Sequence, residues 1–206
     1  MLPTAVQDVF GQNDESITRY VDILASRGID WGLIGPREAD KLWDRHVLNS
    51  VALVGLVGQG ARVVDVGSGA GLPGIPLAIA RPDLSITLLE PLLRRFTFLT
   101  EVVEELGLLD RVTVLRGRAE DLRSSFDVVT ARAVAPLGKL VGWTRHLITP
   151  NGELLALKGE SAAEEIRDAA SVLRDAGFSA QLLTVQVVAG VGTTHVVRVR
   201  PVASIR

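Results

Sequence analysis

The sequence predicts an α/β domain built on a mostly parallel sheet with a C-terminal antiparallel strand, preceded by an N-terminal helical extension. Three observations carry the prediction. Val63 to Leu77 reads VVDVGSGAGLPGIPL, a β-branched run that ends in Asp65, passes glycines at 67, 69, 71 and 74, and turns apolar again at helical spacing. This is a strand, a glycine loop and a helix start. Downstream, short apolar runs alternate with helix-period segments, the pattern of parallel strands joined by crossover helices. The first 57 residues carry helical periodicity only. Residues 1–57 are therefore read as the extension and 58–206 as the α/β domain, the two forming one structural unit.

The elements follow in order. Val6, Val9 and Phe10, then Ile17, Tyr20, Val21 and Leu24, recur at steps of three and four, so residues 3 to 28 read as helices, with Asn13 or Asp14 capping the second and Gly28 ending it. Pro36 opens the helix PREADKLWDRHVLNSVALVGLV, which turns Leu42, His46 or Val47, and Val51 inward and leaves Arg37, Lys41 and Arg45 on an outer face, which His46 joins if Val47 is the inward residue. Gly58 to Gly60 breaks it. Strand one is Arg62 to Val66, with a helix from Gly74 to Ala80. Strand two is Ser85 to Leu89, ended by Glu90 and followed by a helix from Leu92 to Leu106 that starts with Arg94 and Arg95. Strand three is Val112 to Leu115, then GRAED; strand four is Phe126 to Ala131, ending in Arg132 at the mouth of the cleft. Pro136 opens a helix with Leu137, Leu140, Val141 and Leu147 inward and Lys139, Arg145 and His146 outward. Asn151-Gly152 turns into strand five, Glu153 to Leu157, which delivers Lys158 to the same edge as Arg132. Ser161 and Glu164 form a capping box for a helix ending at Gly177. Ser179 to Val188 and Thr194 to Val199, around AGVGT, close the chain as a hairpin.

Composition bounds the function. The chain has 206 residues, 47% of them hydrophobic, enough for one catalytic domain with a full core and unlike a disordered segment. No run approaches the roughly 18 apolar residues of a membrane span, and MLPTAVQDVF lacks the regions of a signal peptide. A cytoplasmic protein with no membrane partner is expected. The absence of cysteine removes disulfides, thiolate metal sites and cysteine nucleophiles together. With His46, His146 and His195 dispersed, no metal is expected. A net charge of −2 means that a polyanion partner must meet a local basic surface.

The glycine loop at the end of a first parallel strand is a nucleotide-type site. Residues 69 to 74 spell G-x-G-x-x-G, which admits a nicotinamide or flavin dinucleotide. Asp65 just before the loop would repel a pyrophosphate and suits a cationic ligand, so D-x-G-x-G-x-G favours S-adenosylmethionine. Gly67 and Gly69 would lie against that cofactor. Glu90 falls 23 positions after Gly67, near the offset at which a carboxylate takes two ribose hydroxyls. Ala119 and Glu120 would flank the adenine. Lacking cysteine, the chain cannot activate C5 of a pyrimidine by covalent addition, and TARAVAP is unlike the Asp/Asn-Pro-Pro-Phe/Tyr segment of exocyclic amine methyltransferases. A ring nitrogen with its own lone pair, such as guanine N7, needs no general base, only alignment. Arg132 and Lys158, the candidate catalytic residues, would hold phosphates or the guanine edge; Arg37, Lys41, Arg45, Arg94 and Arg95 would extend that surface along RNA.

The element order resembles a class I, Rossmann-like S-adenosylmethionine-dependent methyltransferase domain. WDRHVLNS, VVDVGSGAGLPGIPL, LLEPLLRRFTFL, GRAED, TARAVAPL and ALKG, in this order and spacing, resemble the RsmG (GidB) family of bacterial 16S rRNA guanine-N7 methyltransferases over most of residues 36 to 160. The resemblance implies methylation of one guanine in the decoding-region loop of the small-subunit rRNA, with loss of activity linked to streptomycin resistance. It also implies cofactor contacts at Gly67, Leu72, Ala119, Glu120 and Arg132, and a partner that is 16S rRNA or the small ribosomal subunit; a monomer is expected, though no motif specifies the oligomeric state. Trp31-Gly32-Leu33 stands where many members have Asn-Leu-Thr, and Asn49 where they have Asp. The rival readings are a small-molecule methyltransferase, a non-catalytic RNA-binding or assembly factor, and a dinucleotide oxidoreductase.

Overall fold

The run Val63, Val64, Val66 is buried on both faces of its strand, as a central parallel strand requires, and the rest of the sheet is laid out from it. A computed structural model describes residues 7, 9–186 and 192–202. Seven strands pair in the order β3-β2-β1-β4-β5-β7-β6: β1 (Arg62–Val66), β2 (Ser85–Leu89), β3 (Val112–Leu115), β4 (Phe126–Arg132), β5 (Ile148–Lys158), β6 (Phe178–Gln186) and β7 (Thr193–Pro201). The first five pair in parallel, and β7 runs antiparallel to both β5 and β6. Strand order reverses between β1 and β4, so the carboxyl ends of these strands frame a crevice, the usual ligand position of such sheets.

Helices α1 (Asp14–Ile23), α2 (Asn49–Val51), α3 (Gly74–Ala80), α4 (Leu93–Glu105), α5 (Leu137–Thr144), α6 (Ala162–Asp168) and α7 (Ala170–Ala176) complete the fold. One face of the sheet, with Val63, Leu155 and Leu157, shares a core with α3, α4 and the extension through Phe10, Ile17, Tyr20, Leu24, Leu42, Val47 and Leu48. The other face, with Val64, Val129, Leu154 and Ala156, packs on Leu137, Leu140, Val141 and Leu173. The extension thus buries its apolar stripe in the same core as the sheet.

Several local expectations change. The helix expected over PREADKLWDRHVLNSVALVGLV is instead a 3-10 segment Pro36–Lys41, a wide π-helical turn Leu42–Leu48 and the short α2. Its inward residues Leu42, Val47 and Val51 are buried and Arg37, Lys41 and Arg45 exposed as the periodicity requires. Gly28 does not end the preceding helix: a second π-helical turn, Leu24–Gly28, carries it into residues 29–30. Asn13 makes no capping bond and donates Nδ2 to the Ile79 carbonyl at 3.1 Å. Ser161 makes no side-chain cap either, and Ala169 divides α6 from α7, which ends at Gly177 with φ 73°. Asn151-Gly152 lies inside one long β5, where the register with β4 shifts between Phe126 and Val128. A Cβ on Gly152 would fall 2.8 Å from the Asp127 carbonyl oxygen, so glycine lets the bulge approach β4. The helical start at residues 3 to 6 and the turn residues 187–191 lie outside the described residues.

Candidate functional site

The glycine loop leaves β1 and returns as α3, and four side chains brace it. Glu90, at the end of β2 and 1% exposed, accepts the Gly69 N–H on Oε2 and the Leu92 N–H on Oε1, both at 3.0 Å. Asp65, fully buried, accepts the Gly74 N–H on Oδ2 at 3.1 Å. Ser68 Oγ donates to the Asp65 carbonyl at 2.8 Å. Tyr20 Oη, reaching in from α1, donates to the Ala70 carbonyl at 2.8 Å. Glycine is required along this turn. Gly67 has φ 69°, and a Cβ on it would lie 2.8 Å from Val134 Cγ2; Gly71 has φ 100° and Ile75 in the way of a Cβ; Gly74 has no room for one, against Leu88 Cδ2 and with Asp65 Oδ2 at 2.8 Å.

Burial dominates the electrostatics. It pushes the Asp65 carboxyl up to about 7, against the Gly74 N–H and Arg132, which favour its ionised form. Asp65 Oδ1 has no hydrogen-bond partner. The residue therefore pins β1 to the start of α3 rather than presenting a carboxylate to a ligand, which differs from its expected role as a counter-charge. Burial likewise pushes the Tyr20 phenol up.

Two cavities open at the carboxyl edge. The first, about 190 Å³, is lined by Val66, Gly67, Leu89, Pro91, Gly117, Arg118, Ala119, Glu120, Val134 and Trp143. The second, about 460 Å³, is lined by Asn49, the Arg132 to Pro136 segment, Leu157, Lys158, Gly159 and Glu165. Val134 lines both. Of the sequence-selected residues, Gly67, Ala119 and Glu120 line the first cavity, Arg132 and Lys158 the second. Gly69 and Glu90 meet through a hydrogen bond. Leu72 is 4% exposed and belongs to the core beneath the loop.

The two cations are differently held. Lys158 Nζ donates to the Ala135 carbonyl and to Glu165 Oε2, both at 2.7 Å, and Glu165 Oε2 also accepts the Leu137 N–H at 2.9 Å. Lys158, with a side chain only 9% exposed, thus fastens the segment after β4 to α6. Arg132 is half-buried; its Nη2 lies 2.9 Å from His46 Nδ1 and its Nη1 donates to the Arg45 carbonyl at 3.4 Å. Ala133, the next residue, has φ 55°, a strained conformation for a side-chain-bearing residue. Arg94 and Arg95 are exposed at the start of α4, and Arg95 approaches Glu90 at 4.0 Å.

Sequence reasoning missed Tyr20, Trp143, Val134 and Glu165. Tyr20 read as a core position in helical periodicity, and no spacing or motif singled out Trp143 or Glu165; only TARAVAPL, which contains Val134, carried a motif signal.

The chain matches the family model GidB, described as rRNA small subunit methyltransferase G, over residues 13–191. It is 55% identical over 199 residues to a ribosomal RNA small subunit methyltransferase G of Kineococcus radiotolerans, which covers 95% of this chain and 78% of that protein. The protein of the same name from Streptomyces coelicolor is 56% identical over 179 residues, 85% of this chain and 74% of that one. Among solved structures, a ribosomal protein L11 methylase from Lactobacillus delbrueckii subsp. bulgaricus has the same fold, with a TM-score of 0.59 at 16% identity over 76% of this chain and 78% of the other.

Proposed function

Because this chain belongs to the GidB family, the rRNA small subunit methyltransferases G, we propose that it methylates N7 of one guanine in the decoding-region loop of 16S rRNA, in the cytoplasm, with S-adenosylmethionine as donor. The observation that carries the reading is the pair of cavities that share Val134, one apolar against the glycine loop and one lined by Arg132. Such a pair supports a donor seated beside an acceptor, and proximity of this kind is the main catalytic term for a nucleophile that needs no deprotonation.

The residues of the first cavity fit the cofactor. Its walls, Val66, Leu89, Pro91, Val134 and Trp143, are apolar, and the Gly117 to Glu120 backbone forms one edge, an environment for a flat adenine ring. Gly67 keeps the slot open, since any Cβ there would press on Val134. Glu90 serves the ribose end: each of its oxygens keeps a lone pair beyond the backbone bond it accepts, as two vicinal hydroxyls require. Gly69, Ala119 and Glu120 complete the cofactor contacts, and Leu72 supports the loop from the core beneath it. When bound, the cofactor supplies an electrophilic sulfonium methyl group that the N7 lone pair takes, leaving a thioether.

Arg132 faces the acceptor. A guanidinium donates to guanine O6, the acceptor next to N7, and so fixes which ring atom points at the donor. Lys158 holds the floor of the acceptor cavity by tying Ala135 to Glu165. Arg37, Lys41, Arg45, Arg94 and Arg95, all exposed, meet the RNA backbone. The test is transfer of labelled methyl to unmethylated small subunits and to protein-free rRNA, with the modified base mapped. Label on one guanine N7 is expected. No label on either substrate, with cofactor binding confirmed, would leave a small-molecule acceptor or a non-catalytic role.

A further inference from the structure

Arg132 lines the proposed acceptor cavity, yet the ring that orients it comes from 86 residues earlier in the chain. His46 lies on the π-helical turn Leu42–Leu48, which presents the Arg45 carbonyl and the His46 ring to the same guanidinium: Nη1 to the Arg45 oxygen at 3.4 Å and Nη2 to His46 Nδ1 at 2.9 Å. The guanidinium has no acceptor capacity, so Nδ1 must receive that bond. The other ring nitrogen, Nε2, lies 3.2 Å from Glu38 Oε2, and a carboxylate can only accept, so Nε2 carries the proton. Both contacts thus select one neutral tautomer. We propose that His46 is a positioning residue for methyl transfer: oriented by Glu38, it holds the Arg132 guanidinium toward the acceptor cavity and makes the N-terminal extension part of the active site.

The charges around the ring support this assignment. Burial holds the His46 ring below its usual range, and Arg132 adds to the effect, with Arg45 acting in the same direction and Glu38 opposing both. Asp44 and Asn49 line the adjoining cavity with it. Protonation would convert Nδ1 into a donor facing a cation and break the contact. Arg45 is also paired with Glu38, Nη1 to Oε1 at 3.3 Å, so the carboxylate that orients His46 touches an exposed basic residue proposed to meet RNA. The role rests on the methyltransferase reading, but the placement of Arg132 does not.

The test uses the full chain with His46→Leu, His46→Asn and Glu38→Gln. His46→Asn keeps an acceptor near the Nδ1 position; His46→Leu removes it. The first readout needs no activity: the guanidinium N–H signals of Arg132 by NMR, protected in the wild type and in His46→Asn, and exchanging faster in His46→Leu. The second is steady-state methyl transfer to small subunits. His46→Leu is expected to lower kcat by about 10²-fold, the usual effect of a small misplacement, with cofactor affinity unchanged, and His46→Asn to restore most of it. The wild type should lose kcat on the acid side, and His46→Asn should not. Unchanged Arg132 protection in His46→Leu overturns the proposal, as does a rise in KM alone or an Asn variant as impaired as the Leu variant. If His46→Leu does not fold, the Asn variant and its pH profile decide: an acid limb like that of the wild type overturns the assignment. A wild type that methylates nothing refutes the functional reading, and the NMR comparison still decides whether His46 places Arg132.

Discussion

Replacing Asp65 by Asn isolates the effect of the buried carboxyl beneath the glycine loop. The amide oxygen still accepts the Gly74 N–H bonded at 3.1 Å by Asp65 Oδ2, while the charge is gone; the amide nitrogen takes the place of Oδ1, which already lacks a partner. Burial raises the Asp65 pKa from 3.8 to about 7. A carboxyl whose folded pKa lies above its unfolded value binds more protons folded than unfolded between the two, so its contribution is fully present below about pH 4 and is lost as pH rises to about 7. The slope is at most about 1.4 kcal/mol per pH unit, and the whole loss is on the order of 4 kcal/mol by pH 8. The Asn variant has no such slope. Urea unfolding of both proteins without cofactor, at pH 5, 6, 7 and 8, measures the difference, in which all other titrating groups cancel. The variant should gain on the wild type from pH 5 to about 7 and level off by pH 8. Parallel stability curves from pH 5 to 8 would refute the buried-carboxyl reasoning.

Other expectations are shorter. Lys158→Ala leaves the Glu165 carboxylate without its 2.7 Å partner and should destabilise the fold by about 2 kcal/mol; an unchanged unfolding midpoint would show that the pair is structurally idle. Tyr20→Phe removes a fully buried donor to the Ala70 carbonyl and should lose roughly 1–3 kcal/mol in the same assay. Gly69→Val places a β-branched residue at φ 59° and should abolish S-adenosylmethionine binding by calorimetry in a protein that still folds; normal affinity would sink the loop assignment. Gly67→Ala, strained at φ 69° and pressed on Val134, should weaken cofactor binding while costing about 1–2 kcal/mol of stability.

The strands, the glycine loop and α3 were legible in the sequence because their signals are local. Period-two and continuous apolar runs mark β1 to β4, and Gly74 to Ala80 matches α3 residue for residue. The candidate cofactor residues were legible for the same reason: Gly67, Ala119 and Glu120 follow strand ends, and the ends of parallel strands share one edge. The stretch from Pro36 to Val51 was misread as a regular helix because burial periodicity survives a change of helical pitch: Leu42, Val47 and Val51 are buried either way. What no spacing encodes is which partner a polar side chain finds across the fold. Arg132 and Lys158 look alike at the ends of adjacent strands, yet tertiary packing gives Lys158 to Glu165 and Arg132 to His46. Asp65 reads as a carboxylate for a cationic ligand until the core closes over it. Sequence by itself determined the fold class, a candidate ligand edge and the family; the tertiary structure decided which charges face the cavity and which are spent holding it, because a charge's role depends on burial and on contacts between residues far apart in the chain.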